Sequence, residues 1–355
     1  MAAFFFPPTL MHPLSSWSRT RSYSVPAGVS DASTIAARAI TAFPTGEPVA
    51  EMRAMRNVDA ATSMRYSLPR TLRGYYNFSV AFLSAQKQCP SMAQADAKFL
   101  PMLIESEATH QPGMRLSQHR SPDELVTYLL QRCRLPDVEG REQGIVNMGP
   151  DGIHFAAFDL AIRDGQPSVL LVESGSMNDE GGSRLAFRLC QAMTRHAPAG
   201  HDWPDRALLI LETRMQQSSV DCGMFSLTNC KAMFKEASSF ESIHTRLRAG
   251  AFDDDAVFHH FPFDKSDELL PPSIMRHTQS KRRLKGYSER HRCDTMAENA
   301  GMQRTLSRQK GLTFDRENRS YSVSIEFERI KAAGRALPPP LESPESLEDT
   351  FLQNL

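Results

Sequence analysis

Hydrophobic positions along this chain follow two periods, and the switch between them marks out its elements. In residues 95–107, ADAKFLPMLIESE, Phe99, Leu100, Leu103 and Ile104 recur at helical spacing, so Pro101 must sit in the first turn or kink the helix. Ser121-Pro122-Asp123-Glu124 is a helix start: a capping serine, a proline at the first helical position and a capping-box glutamate, opening a helix through Leu125, Leu129 and Leu130. The period then falls to two. IHFAAFDLAI (153–162) and SVLLVES (168–174) predict two strands joined by Asp164-Gly165, a favoured type I′ pair. With that two-residue turn, Glu173 lies opposite Ala156, on the face that carries His154. His154 and Glu173 become diagonal neighbours at Cα separations of about 7–8 Å. Pro167 weakens this register and leaves room for a bulge. ALLILET (207–213) predicts a further buried strand, after which CGMFSLTNCKAMF reads as a helix with Cys222 at its start and Asp221 placed to cap it.

The two ends lack such patterns. Residues 1–49 are rich in Ser, Pro, Ala and Thr and read as disordered, and Pro338-Pro339-Pro340 leads into an acidic stretch, so that 336–355 reads as a disordered tail. A chain of 355 residues with 41% hydrophobic residues can still bury one substantial core. Lys plus Arg and Asp plus Glu are equal at 41 each, which argues against nucleic acid as the default partner. No run approaches eighteen apolar residues, which argues against a transmembrane helix. The six cysteines, Cys89, Cys133, Cys190, Cys222, Cys230 and Cys293, form no C-x-x-C pair and have no His-x-x-x-His nearby. Reduced thiols in a cytosolic setting are expected, and no metal site.

One of those thiols has partners that suggest chemistry. A sulfur at a helix start meets unpaired N–H groups and the positive end of the helix dipole, which favour thiolate. A cysteine nucleophile also needs a base, a group that orients the base, and oxyanion donors. His154, Glu173 and Gln216 supply these roles on strand, strand and loop.

VNMGPDGIHFAAFDL, VLLVES, MQQSSVDCGMFSL and RHTQSKRRLKGY together resemble the YopJ family of effectors, over about Ala95 to Ile330. The resemblance implies an α+β fold: a cysteine-protease-like core (95–270), similar to the ubiquitin-like-protein protease clan, with a helical regulatory region built from 50–94 and 271–335. It implies that His154 is the general base, Glu173 the orienting acid, Cys222 the nucleophile and Gln216 the oxyanion-side glutamine. It further implies a type III secreted enzyme that takes acetyl from acetyl-CoA and acetylates Ser, Thr or Lys of host kinases or immune-signalling proteins. Segment 1–49 would then serve secretion or targeting, and the host cytoplasm, with the nucleus as the alternative, would be the place of action.

Charge is concentrated locally. From Arg276 to Lys310 there are ten basic residues against three acids, a segment suited to a small polyanion because guanidinium forks bond phosphate oxygens in pairs. The resemblance makes that polyanion the activator inositol hexakisphosphate, with Arg276, His277, Lys281, Arg282, Arg283, Lys285 and Arg319 as contacts. Many members carry an autoacetylated lysine before the His-Thr-Gln block. Arg276 stands there instead, so acetylation at that position is not expected, although Lys281 or Lys285 could substitute. Two rival activities remain open: cleavage of ubiquitin or ubiquitin-like conjugates by the same triad, and a catalytically idle module that masks a host kinase.

Overall fold

The computed structural model describes residues 68–85, 90–135, 140–149, 152–196, 207–252, 259–293, 295–316 and 319–338. The segment 1–49, the first part of 50–94 and the tail after 338 lie outside the described residues. At its centre is a six-stranded sheet, β1 (Leu116–His119), β2 (Gly140–Asn147), β3 (Phe155–Arg163), β4 (Gln166–Glu173), β5 (Leu208–Glu212) and β6 (His259–Phe261), in spatial order β1-β2-β3-β4-β5-β6. Strands β2, β3 and β4 run antiparallel as successive neighbours, whereas β1 joins β2 in parallel, β5 joins β4 in parallel, and β6 joins β5 likewise.

Strict alternation along these strands divides the core in two. Phe155, Ala157, Leu170, Val172, Leu209 and Leu211 enter one apolar cluster, while Ala156, Phe158, Leu160, Val169, Leu171 and Ile210 enter the other. The second face is covered by α3 (Pro122–Cys133) and α4 (Glu180–His196), through Leu125, Leu129, Leu185 and Leu189. The first face receives α5 (Cys222–Lys235) and α6 (Ala237–Arg248), and beyond them α1 (Leu72–Ala85) and α2 (Pro90–His110). The chain continues through α7 (Phe263–Leu269), a 3-10 turn Ile274–His277, α8 (Lys281–Arg290), α9 (Met296–Leu312), the hairpin β7 (Thr313–Arg316) and β8 (Arg319–Ser322), and α10 (Ser324–Ala336). Each apolar side chain fully buried this way is worth about 1.5–3 kcal/mol, which explains why a strand such as LLILE, apolar on both faces, occupies the sheet's interior.

Several expectations are met in detail. Ser121 Oγ accepts from Glu124 N–H at 3.2 Å, and Pro122 occupies the first turn of α3. Asp164 and Gly165 both have positive φ, 51° and 71°, as a type I′ turn demands. Ala157 pairs with Val172 and Arg163 with Gln166, so the register runs through Pro167 without a bulge. Helix α2 begins at Pro90, so Pro101 lies in its interior and not in its first turn. One point differs. Asp221 does not cap α5: its carboxylate is drawn off to Arg329, Gln279 and Ser218.

Candidate active site

The antiparallel β3–β4 register carries Glu173 to the point where the chain enters β3, and His154 stands there. His154 Nε2 lies 2.8 Å from Glu173 Oε2. The backbone of His154 is pinned to the end of β2, its carbonyl accepting from Met148 N–H at 2.9 Å. Glu173 is 1% exposed, and its other oxygen accepts from Gly175 N–H at 2.7 Å, so both carboxylate oxygens are satisfied. With Nε2 given to Glu173, Nδ1 is the nitrogen left for sulfur, and Cys222 lies near enough to the ring to raise its affinity for a proton. Burial pushes the imidazole down. The charge of Glu173, together with hydrogen bonds to Cys222 and Glu173, outweighs burial and raises it to about 11. The resting ring is therefore an imidazolium, the partner a thiolate needs.

Two adjacent glycines make room for this pair. A Cβ on Gly181, in the first turn of α4, would stand 2.7 Å from His154 Nδ1 and 2.8 Å from its Cγ, distances at which the ring must move. A Cβ on Gly182 would meet Ser176 O at 3.1 Å and the Glu173 carboxyl carbon at 3.3 Å. Glycine costs helix stability, and here it gives the histidine and its acid their floor.

Cys222 opens α5 and is 2% exposed. The first bond of the α5 ladder runs from Phe225 N–H to Asp221 C=O, 2.9 Å, so the N–H groups of Cys222, Gly223 and Met224 precede the ladder. Asp221 makes no side-chain cap to them, and N–H groups at a helix start are the kind of donor that stabilises an oxyanion. Gln216 lies on the preceding loop, Met215–Asp221. Its N–H donates to Ser174 C=O at 2.9 Å, its Oε1 accepts from Ser174 Oγ at 2.8 Å, and its Nε2 donates to Ser218 C=O at 2.6 Å. One hydrogen of that amide is left for an oxyanion. The loop is stitched to the end of β4: Thr213 N–H and Oγ1 both donate to Glu173 C=O, and Arg214, at φ 52°, donates its N–H to Gly175 C=O.

A buried charge network behind Cys222 has no local signal in the sequence. Arg329 of α10, 1% exposed, donates from Nε and Nη2 to Asp96 of α2 at 2.9 and 2.8 Å and from Nη2 to Asp221. Tyr75 of α1 donates its hydroxyl to Asp96 at 2.7 Å. Burial pushes the Asp96 carboxyl up against the pull of Arg329, while Arg329, despite burial, is held protonated by Asp96 and Asp221. A carboxylate beside a nucleophilic thiolate would oppose it; pairing with Arg329 removes that opposition.

The basic residues divide among several places. Arg282, Arg283 and Lys285 line a cavity of about 520 Å³ with Arg214, Gln217 and Arg290. Arg276 lines a second, of about 740 Å³, with Lys235, Arg304 and Arg308. Three guanidiniums, those of Arg214, Arg283 and Arg290, surround the Phe263 ring in the first, at 4.4, 5.1 and 5.2 Å from its centroid. Arg283 is spent there on structure, since it is buried, forks onto Asp267 and donates to Thr213 C=O at 2.7 Å. His277 also differs from expectation. It is 6% exposed, bonded through Nδ1 to Ser324 Oγ at 2.8 Å, and lowered to about 3 by burial and by Arg308 and Arg276, so it is neutral at physiological pH and offers a polyanion no charge. Lys281 is exposed outside both cavities, and Arg319 opens β8.

Comparison with known proteins bears on the family and the fold. The sequence profile described as "YopJ Serine/Threonine acetyltransferase" matches residues 72–335. The chain is 31% identical over 195 residues to the "Serine/threonine-protein acetyltransferase YopJ" of Yersinia pestis, an alignment covering 55% of this chain and 65% of that protein. The chain thus spans just under two thirds of that relative's length. Among solved structures, the fold is similar to that of "AvrA delL154 with IP6, CoA", with a TM-score of 0.62 and 24% identity over 76% of this chain and 98% of that one. It is similar also to "HopZ1a in complex with IP6", with a TM-score of 0.59 and 18% identity over 77% and 92% of the two chains.

Proposed function

Because the chain belongs to the YopJ serine/threonine acetyltransferase family, we propose that it moves an acetyl group from acetyl-CoA, by way of Cys222, to serine, threonine or lysine side chains of host signalling or immunity proteins. In this reading inositol hexakisphosphate activates it, and a type III system delivers it to the host cytoplasm. The observation that supports the reading best is the arrangement of three residues: Glu173 bonded to His154, Cys222 near enough to His154 to raise its affinity for a proton, and Cys222 at the start of α5 with no side-chain cap.

The chemistry runs in two halves. The Cys222 thiolate attacks the thioester carbonyl, and the N–H groups at the start of α5 with the free Gln216 hydrogen take up the charge on oxygen. The C–S bond to CoA breaks, and His154 delivers its proton to the departing sulfur, leaving acetyl-Cys222 and a neutral imidazole. An acceptor hydroxyl or amine then attacks the acetyl carbonyl while His154 Nδ1 takes its proton, and the Cys222 thiolate leaves with the imidazolium restored. Glu173 holds the ring by Nε2 throughout and does not itself exchange protons.

The cavities favour acetyl transfer over proteolysis, because a thioester donor that carries phosphates needs cations beside the nucleophile. The Arg282–Lys285 cavity is bordered by Arg214 and Gln217, either side of Gln216, and suits the phosphates of acetyl-CoA. The Arg276 cavity is framed by α9 and by the segment that follows α7, and suits inositol hexakisphosphate. The AvrA and HopZ1a structures hold these same two ligands, CoA with IP6 in one and IP6 in the other. In this reading 95–270 is the catalytic unit, and α1, the start of α2, α8, α9 and α10 are regulatory; Tyr75, Asp96 and Arg329 are the buried joint that supports it.

Charge reversal separates the two cavities. Arg282→Glu with Lys285→Glu is expected to raise KM for acetyl-CoA by about tenfold or more and leave the activation constant for inositol hexakisphosphate in place. Arg276→Glu with Arg304→Glu is expected to do the converse. Steady-state transfer from labelled acetyl-CoA, titrated with each ligand in turn, measures both constants. Exchange of the two effects would swap the assignment, and constants unmoved by either pair would remove both cavities from ligand binding.

A further inference from the structure

Gln279 is fully buried, and its side chain and backbone converge on one loop. Its Oε1 accepts from the N–H groups of Gln217 and Ser218 at 2.6 and 2.9 Å. Its Nε2 donates to Asp221 Oδ2 at 2.8 Å and reaches Ser218 Oγ at 3.4 Å. Its own N–H donates to Met215 C=O at 3.0 Å. Five bonds from one residue therefore hold the seven-residue loop Met215–Asp221 at its start, middle and end. That loop presents Gln216 and fixes where α5, and so Cys222, begins.

The other side of Gln279 faces the basic segment. Its C=O accepts from Ser322 N–H at 2.9 Å, and three residues earlier in the chain stands Arg276, on the wall of the second cavity. Between them, Thr278 C=O accepts from Gln309 Nε2 at 3.1 Å, and His277 shares Ser324 Oγ with Arg308 Nε. Arg308 also lines that cavity.

We propose that Gln279 is a positioning residue for the reaction: its amide sets the nucleophile loop through Gln217, Ser218 and Asp221, so that Cys222 meets His154 and the Gln216 amide stays on the oxyanion side. This rests on the reading of Cys222 as the nucleophile. The amide is suited to the task because it presents an acceptor to two N–H groups and a donor to a carboxylate at once. Glutamate, of the same shape, keeps the acceptor and turns the donor into a second negative oxygen against Asp221. Adding Asp221→Asn to Gln279→Glu would return a donor to that contact, with the carboxylate introduced at position 279 as its acceptor. The oxygen of the amide introduced at position 221 would still face Arg329.

The test is the rate at which iodoacetamide alkylates Cys222 as a function of pH, read by mass spectrometry of the Cys222 peptide on the full chain. Thermal melting is followed in parallel. Wild type is expected to alkylate readily at neutral pH. Gln279→Glu is expected to lower that rate by about 10²-fold, the effect of roughly an ångström of misplacement. The loss of rate should be present at temperatures well below its melt, where the fold is intact. Asp221→Asn in the same chain is expected to restore the rate. A Gln279→Glu protein with the wild-type profile, or a double variant as slow as the single, would overturn the proposal while leaving the nucleophile reading intact. A wild-type Cys222 that reacts no faster than a free thiol would instead sink the nucleophile reading, and this proposal with it.

Discussion

Replacing His154 with alanine is expected to reduce acetyl transfer by at least about 10²–10⁴-fold, the range that a positioned acid–base group supplies, with the fold retained. In the proposed mechanism three contributions vanish together: the imidazolium that holds the thiolate, the proton for the departing CoA sulfur, and the base for the incoming acceptor. Removing the ring leaves the buried Glu173 carboxylate without its cation but still bonded to Gly175 N–H, so a lowered melting temperature with the fold retained is expected. The ring stands at the entrance of β3, with 13% of its side chain exposed, and makes an ion pair with Glu173. The stability difference should nevertheless carry a signature in pH. His154 is raised in the folded protein from 6.5 to about 11, so the stabilisation it brings is fully present below about pH 6.5 and is lost as pH rises through 11. Melting curves of wild type and His154→Ala should therefore lie furthest apart near pH 6 and converge towards pH 10. Equal separation across that range, or an alanine variant that is unfolded at pH 7, would give His154 a structural role in place of the catalytic one.

The second large effect belongs to Arg329. Methionine at this position keeps much of the volume but leaves Asp96 and Asp221, each 1% exposed, without their shared cation. Removing one partner from a buried ion pair costs about 3–5 kcal/mol, because the charge left behind has neither water nor a counter-ion. Two carboxylates are left here, so Arg329→Met is expected at the upper end of that range, measured by urea denaturation. Asp96→Asn in the same chain should recover part of the loss by removing one of the orphaned charges. Its failure to do so would mean that Arg329 acts through packing alone. Activity should fall out of proportion to stability in Arg329→Met, since Asp221 then brings an unpaired negative charge to the residue before Cys222.

The parts of this molecule that were legible in the sequence are the ones set by local rules. Ser121-Pro122 starts a helix, Asp164-Gly165 makes the turn it predicts, and counting back from that turn places Glu173 opposite Ala156, which is enough to bring Glu173 to His154. The spacing of Asp221 fits a cap, yet its carboxylate goes elsewhere. The competing partners, Gln279 and Arg329, are 58 and 108 residues further along the chain, and no local pattern announces them. Arg329 itself resembles any basic residue on an amphipathic helix, since burial of its face is decided by α1 and α2. His277 stands in a run of cations, and the sequence does not distinguish it from them. Its side chain points inward to Ser324, and burial removes its charge. Gly181 and Gly182 look like an ordinary loose helix start until the His154 ring is seen against them.

The central claim is that Cys222 carries the acyl group. Purified protein incubated with labelled acetyl-CoA, with and without inositol hexakisphosphate, then quenched in acid and digested, reports directly on that sulfur. Label on the Cys222 peptide, increased by the polyanion, discharged by an added acceptor protein and absent from Cys222→Ala, is the predicted result. Wild-type protein that takes up no label at Cys222 in the presence of the polyanion and an acceptor, or a Cys222→Ala variant that still transfers acetyl at the wild-type rate, would contradict it.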